Sequence, residues 1–137
     1  MLLVDTNVIL DVIEDDPKWA AWSQAQLDSA GLKEVLIINP VVYAELSLAF
    51  QRIEELEAVL TKTGLRVEPV PREALFLAGK VFLQCRRRGG IRTGVLPDFF
   101  IGAHAAVAGM PLLTRDVSRY ETYFPKLKLI TPQAGES

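Results

Sequence analysis

Apolar positions along the chain follow two alternating rhythms. Leu2-Leu3-Val4 is an unbroken apolar run, after which Val8, Ile9, Val12 and Ile13 recur at helical spacing, predicting a short strand followed by a helix. The run ends in Asp5, and Thr6 or Asn7 can cap the helix start with a side-chain oxygen. Asp16-Pro17 places a cap before a proline at the first helical position, opening a second helix towards Gly31. Trp19 and Trp22 share a face of that helix, suited to the core or to a protein interface. Val35-Leu36-Ile37-Ile38 reads as a buried strand, and Asn39-Pro40 repeats the helix-start signal before Val41 to Phe50.

The rhythm then repeats. Ile53 to Leu60 is helical and Gly64 closes it, Leu65 to Val70 alternates as a more exposed strand, and Pro71 opens a helix with Ala74, Ala78, Val81 and Cys85 on its apolar face. Residues 91–97 carry no clear period and read as a loop, with Asp98 starting the helix that bears Phe99, Ile101 and Ala105. Gly109-Met110-Pro111 stops it, Leu112-Leu113 forms a strand leading to Asp116, and a turn near Arg119 precedes an edge strand at Lys126 to Ile130. Strands alternating with helices predict an α/β fold, a central, mostly parallel sheet flanked by helices in an α/β/α sandwich. One domain is expected over residues 1–132, with a polar tail at 133–137.

Composition narrows the function classes. Half the residues are hydrophobic and 23% are charged, which excludes a disordered chain. Seventeen acidic against fifteen basic residues leave a net charge of −2, so any nucleic-acid contact needs a local patch rather than a global field. The lone Cys85 rules out an internal disulfide or a cysteine-based zinc cluster and reads as a small buried hydrophobe. No basic stretch precedes Asp5 in the manner of a signal peptide, and no apolar run approaches the roughly 20 residues that span a bilayer. A cytoplasmic location without membrane attachment is expected.

The acidic residues carry the chemistry. Asp5 and Asp116 each follow a strand, Asp98 begins a helix, and Glu45 lies on an otherwise apolar helix among Val41, Val42, Leu48 and Ala49. Carboxyl ends of strands in α/β sheets are where ligands bind. Carboxylates brought together there repel one another, and a hard divalent cation with oxygen ligands relieves the repulsion. Mg²⁺ or Mn²⁺ at such a site activates water and neutralises a phosphodiester. Arg86, Arg87, Arg88 and Arg92 form the densest basic cluster, with Arg115 and Arg119 flanking Asp116. These arginines suit RNA phosphates, and the helix-end group equally suits a helix C-terminus.

Four short motifs now stand in order: Leu3-Val4-Asp5-Thr6-Asn7, Val42-Tyr43-Ala44-Glu45-Leu46, Leu96-Pro97-Asp98-Phe99-Phe100-Ile101-Gly102-Ala103 and Leu113-Thr114-Arg115-Asp116. In this the chain resembles the PIN domains, and among them the toxins of VapBC toxin–antitoxin pairs. The resemblance implies that Asp5, Glu45, Asp98 and Asp116 form the acidic, metal-binding catalytic quartet, with Asn7 and Thr114 as accessory polar residues. It further implies a Mg²⁺- or Mn²⁺-dependent endoribonuclease acting on structured RNA such as tRNA or ribosomal RNA. Its expected partners are a cognate antitoxin, packing on the early helices with Trp19 and Trp22, and a second copy in a homodimer. His104 departs from the family pattern, where small or hydroxyl residues are common.

Three other readings compete. An RNA-processing nuclease without an antitoxin keeps the same chemistry. A phosphoacceptor signalling domain wants an adjacent acidic pair after the first strand and a late lysine, whereas Asp5 stands between Val4 and Thr6. A catalytically silent PIN-like binding module is disfavoured by the presence of all four carboxylates.

Overall fold

The apolar runs pair as a five-stranded sheet, with the three fully buried strands inside and the more exposed ones at the edges. In the computed structural model, which describes residues 1–89 and 96–132, β1 (Leu2–Val4) lies at the centre. It is flanked by β2 (Leu36–Ile38) and β4 (Leu112–Leu113), with β3 (Arg66–Val67) and β5 (Leu129–Ile130) at the edges. The order is β3-β2-β1-β4-β5 and every pair is parallel, in the registers Leu3↔Ile37, Leu3↔Leu112, Ile37↔Arg66 and Leu112↔Leu129. All residues of β1, β2 and β4 are buried, which is why their sequences are continuously apolar rather than alternating. Each such Leu, Ile or Val contributes roughly 1.5–3 kcal/mol through burial. Arg66 and Val67, on the edge, are exposed.

Helices connect the strands. α1 (Thr6–Ile13) and α2 (Ala20–Gly31) follow β1; α3 (Pro40–Ser47) and α4 (Ile53–Thr63) follow β2. α5 (Arg72–Arg87) and α6 (Leu96–Ala108) separate β3 from β4, and α7 (Val117–Tyr123) precedes β5. α5 packs along α6, which also touches α3 and α7. The buried Phe99 joins Phe82 of α5 and Tyr123 of α7 edge-to-face, at centroid separations of 6.0 and 5.0 Å.

Several local expectations shift. Asn39 does cap α3, accepting from the Val42 N–H at 3.0 Å. The cap of α1, however, is Asp5 itself rather than Thr6 or Asn7: its carboxylate accepts from the Thr6 N–H at 2.7 Å. Asp16 accepts from Lys18 and Trp19 and so caps a turn that precedes α2. β3 and β5 are each two residues long, shorter than their sequence patterns, and α6 begins at Leu96, ahead of Asp98.

Candidate active site at the carboxyl edge

The chain leaves β1 for β2 on one side and returns through β4 on the other, so strand order reverses between β1 and β4. In open α/β sheets the crevice beyond such a reversal is the ligand position. Asp5 leaves β1 there and Thr114 leaves β4, joined by the main-chain bond from the Asp5 N–H to the Leu113 carbonyl at 2.9 Å.

Asp5 is buried, and its carboxylate is held from several directions. One oxygen accepts from the Thr6 N–H, and the other from Thr114 Oγ1 at 2.7 Å, the Tyr120 hydroxyl at 3.1 Å and Asn7 Nδ2 at 3.3 Å. Burial raises its pKa to about 6; the Thr114 bond opposes that rise and the charge of Asp98 adds to it. Thr114 also accepts from the Asp116 N–H at 3.0 Å, while Asn7 Oδ1 accepts from the Arg115 N–H at 3.3 Å. Thr114 and Asn7 thereby tie the end of β4 to the start of α1.

Asp98, in the first turn of α6, enters from the other side. Its Oδ1 lies 3.3 Å from the Tyr120 hydroxyl, which also reaches Asp5, so one phenol spans two carboxylates. Burial and then those two charges push the phenol well above its ordinary pKa, so at neutral pH it remains a donor, serving one carboxylate at a time. Asp98 Oδ2 accepts from Arg119 Nη1 at 2.5 Å, and Arg119 Nε lies 3.7 Å from Asp116 Oδ2. Burial raises the Asp98 pKa against the lowering effect of Arg119. Asp116 caps α7 and accepts from the Arg119 N–H.

Asp5, Asp98 and Asp116 therefore belong to one network, closed by Thr114, Tyr120 and Arg119. Glu45 stands at its rim: half-buried on α3, it accepts from Thr6 Oγ1 at 2.6 Å. The donor set is all oxygen, the chemistry of Mg²⁺ or Mn²⁺, yet among the described residues no three acidic, histidine or cysteine side chains stand together as an ion cage. The cation between Asp98 and Asp116 is the Arg119 guanidinium, and a positive charge is what their mutual repulsion calls for.

A family model for the PIN domain matches residues 2–124. The chain belongs to the PIN domain family. In fold, this PIN domain is similar to a chain of VapBC2 from Rickettsia felis solved with a promoter DNA fragment (TM-score 0.74, 19% identity, covering 96% of this chain and 98% of that one). It is also similar to chains of DNA-bound VapBC from Salmonella typhimurium (0.71, 20%, 96% and 98%) and FitAcB from Neisseria gonorrhoeae (0.70, 21%, 94% and 96%). At these identities the likeness speaks to the fold. Among curated proteins none matches the sequence.

The arginines divide. Arg86, Arg87 and Arg88 are exposed around the end of α5, and Arg92 lies outside the described residues, as does the tail at 133–137. Arg115, expected to face RNA, is instead committed inward. It forms a forked pair with the buried Asp11 at 2.6 and 2.8 Å, and its guanidinium lies over Trp19 at 5.0 Å. Ser23 donates to the same carboxylate at 2.6 Å, so Arg115 clamps β4 to α1 and α2. His104 is buried beside Asn39, its Nδ1 3.3 Å from Asn39 Nδ2, in the contact between α6 and α3. Tyr120 was missed as a site residue, as was the inward role of Arg119. The available signal was Asp116 as a helix cap, which places residues 119 and 120 in the first turn above it.

Proposed function

We propose that this PIN domain is a Mg²⁺- or Mn²⁺-dependent endoribonuclease and the toxin of a type II toxin–antitoxin pair, acting in the cytoplasm on structured RNA such as tRNA or ribosomal RNA. The observation that carries the reading is the single network joining Asp5, Asp98 and Asp116 at the strand-order reversal of a PIN-family sheet. Asp5, Asp98 and Asp116 would hold the metal, with Glu45 at the rim. A bound divalent ion supplies an activated water and charge neutralisation at the phosphodiester. The residues of the chain do the positioning. Thr114 and Asn7 fix the Asp5 carboxylate, Tyr120 sets its spacing to Asp98, and the α7 cap presents Asp116. The exposed Arg86, Arg87 and Arg88, with Arg92, are proposed as phosphate contacts.

The similar folds in VapBC and FitAcB support a protein inhibitor as partner, and the α1–α2 surface near Trp19 and Trp22 is proposed to receive it. A homodimer and a functional domain of residues 1–132 belong to the same reading. The test incubates purified protein with Mg²⁺ or Mn²⁺ on a mixed RNA pool beside Asp5→Asn and Asp98→Asn. Wild type should cut and both variants should lose at least roughly a hundredfold in rate, about 2.7 kcal/mol of barrier. Identical RNA profiles would reject the nuclease. Co-expression with the neighbouring gene product should yield a complex, and its absence would reject the toxin–antitoxin assignment.

A further inference from the structure

The side chain of Arg119 is 43% exposed, yet its charged end is turned into the site. Its Nη1 meets Asp98 Oδ2 at 2.5 Å, and its Nε faces Asp116 Oδ2 at 3.7 Å. Its own backbone N–H donates to the other oxygen of Asp116, so the α7 cap fixes where the side chain starts. Asp98 is 14% exposed and Asp116 32%, so Asp98 in particular has little water with which to dissipate its charge.

We propose that Arg119 is a built-in counter-cation: it holds Asp98 and Asp116 in the metal-free protein and must swing outward before a divalent ion can use them. The inference rests on the metal-dependent reading above and goes beyond it, because it makes metal entry an exchange of one cation for another. Two facts carry it. The guanidinium sits on Asp98 Oδ2 and faces Asp116 Oδ2, and a second cation brought onto the same carboxylates would be repelled by it. Arg119 is a surface side chain, so it can leave by rotating its own torsions while α7 stays anchored by the buried Tyr120. A clamp such as Arg115, which is 26% exposed, forked onto Asp11 and stacked on Trp19, has no such freedom.

The experiment measures Mn²⁺ binding to the metal-free full chain by calorimetry, for wild type, Arg119→Gln, Arg119→Lys and Asp98→Asn. Circular dichroism checks that each variant is folded. Arg119→Gln should bind Mn²⁺ roughly tenfold more tightly than wild type, about 1.4 kcal/mol, and Arg119→Lys should fall between them. Without metal, Arg119→Gln should melt below wild type, and it should gain more on Mn²⁺ addition. Folded Arg119→Gln that binds no more tightly than wild type overturns the proposal. If wild-type binding then still depends on Asp98, the metal reading stands and only the counter-cation role is lost. Binding by neither protein overturns both.

Discussion

The Asp5 carboxylate accepts from Thr6, Asn7, Thr114 and Tyr120, and burial sets the need for each donor. A buried carboxylate left unpaired costs several kcal/mol, and here hydrogen bonds recover part of that cost by favouring the charged form. Removing a donor must therefore raise the Asp5 pKa above its value of about 6. In metal-free protein, Thr114→Val should raise the NMR titration midpoint of Asp5 more than Tyr120→Phe does, because the Thr114 bond is shorter, 2.7 against 3.1 Å, and the Tyr120 hydroxyl is shared with Asp98. An unmoved midpoint in both variants would show that these donors are not engaged. Asp5 was legible in the sequence as an acid at a strand end. Tyr120 was not, because its role depends on meeting Asp98, 22 residues earlier, across the α6–α7 contact.

Among the elements, α6 carries the most constraints, since it presents Asp98 while packing on α3, α5 and α7. Its Gly102 lies where a Cβ would come within 2.4 Å of the buried Phe124 ring. Gly102→Ala should destabilise by about 1–3 kcal/mol in urea denaturation, the usual cost of overpacking, and Phe124→Leu in the same chain should recover part of it. His104 ties α6 to the cap of α3. Burial lowers its pKa below the ordinary 6.5, and the charge of Glu68 opposes the shift only in part. The native state thus prefers neutral histidine, so this contribution is complete above pH 6.5 and is lost as pH falls below it. Measured against His104→Gln, wild type should lose stability progressively below pH 6.5, and parallel pH curves would refute the link.

Elements whose signals are local were the readable ones: the apolar runs of β1 and β2, the Asn39-Pro40 start and the Gly64 stop. β3 proved shorter than its alternating pattern because its partner ends: the Glu68 N–H bonds the Ile38 carbonyl, and at Asn39 the chain turns into α3, leaving no strand to pair with. The inward turn of Arg115 escaped notice because Asp11 reads as a surface acid until α2 covers it.

At the scale of the whole molecule, no helix among the described residues is long and apolar enough to cross a membrane. The parallel order β3-β2-β1-β4-β5 was foreseeable as a class, but the position of β1 at the centre follows only from pairing. That position governs timing. The strand made early waits for a neighbour, β4, more than a hundred residues later, and the Thr114–Asp5 bond spans 109 residues. Ribosomes add roughly 5–20 residues per second, so for several seconds a growing chain holds Asp5 with no Thr114, Asp116 or Arg119 beside it. A chain stopped at residue 110 should leave one edge of β1 bare and show no cooperative thermal transition; a sharp melt would refute this. The carboxylate cluster is thus among the last parts of the protein to exist, so an incomplete chain carries no assembled site.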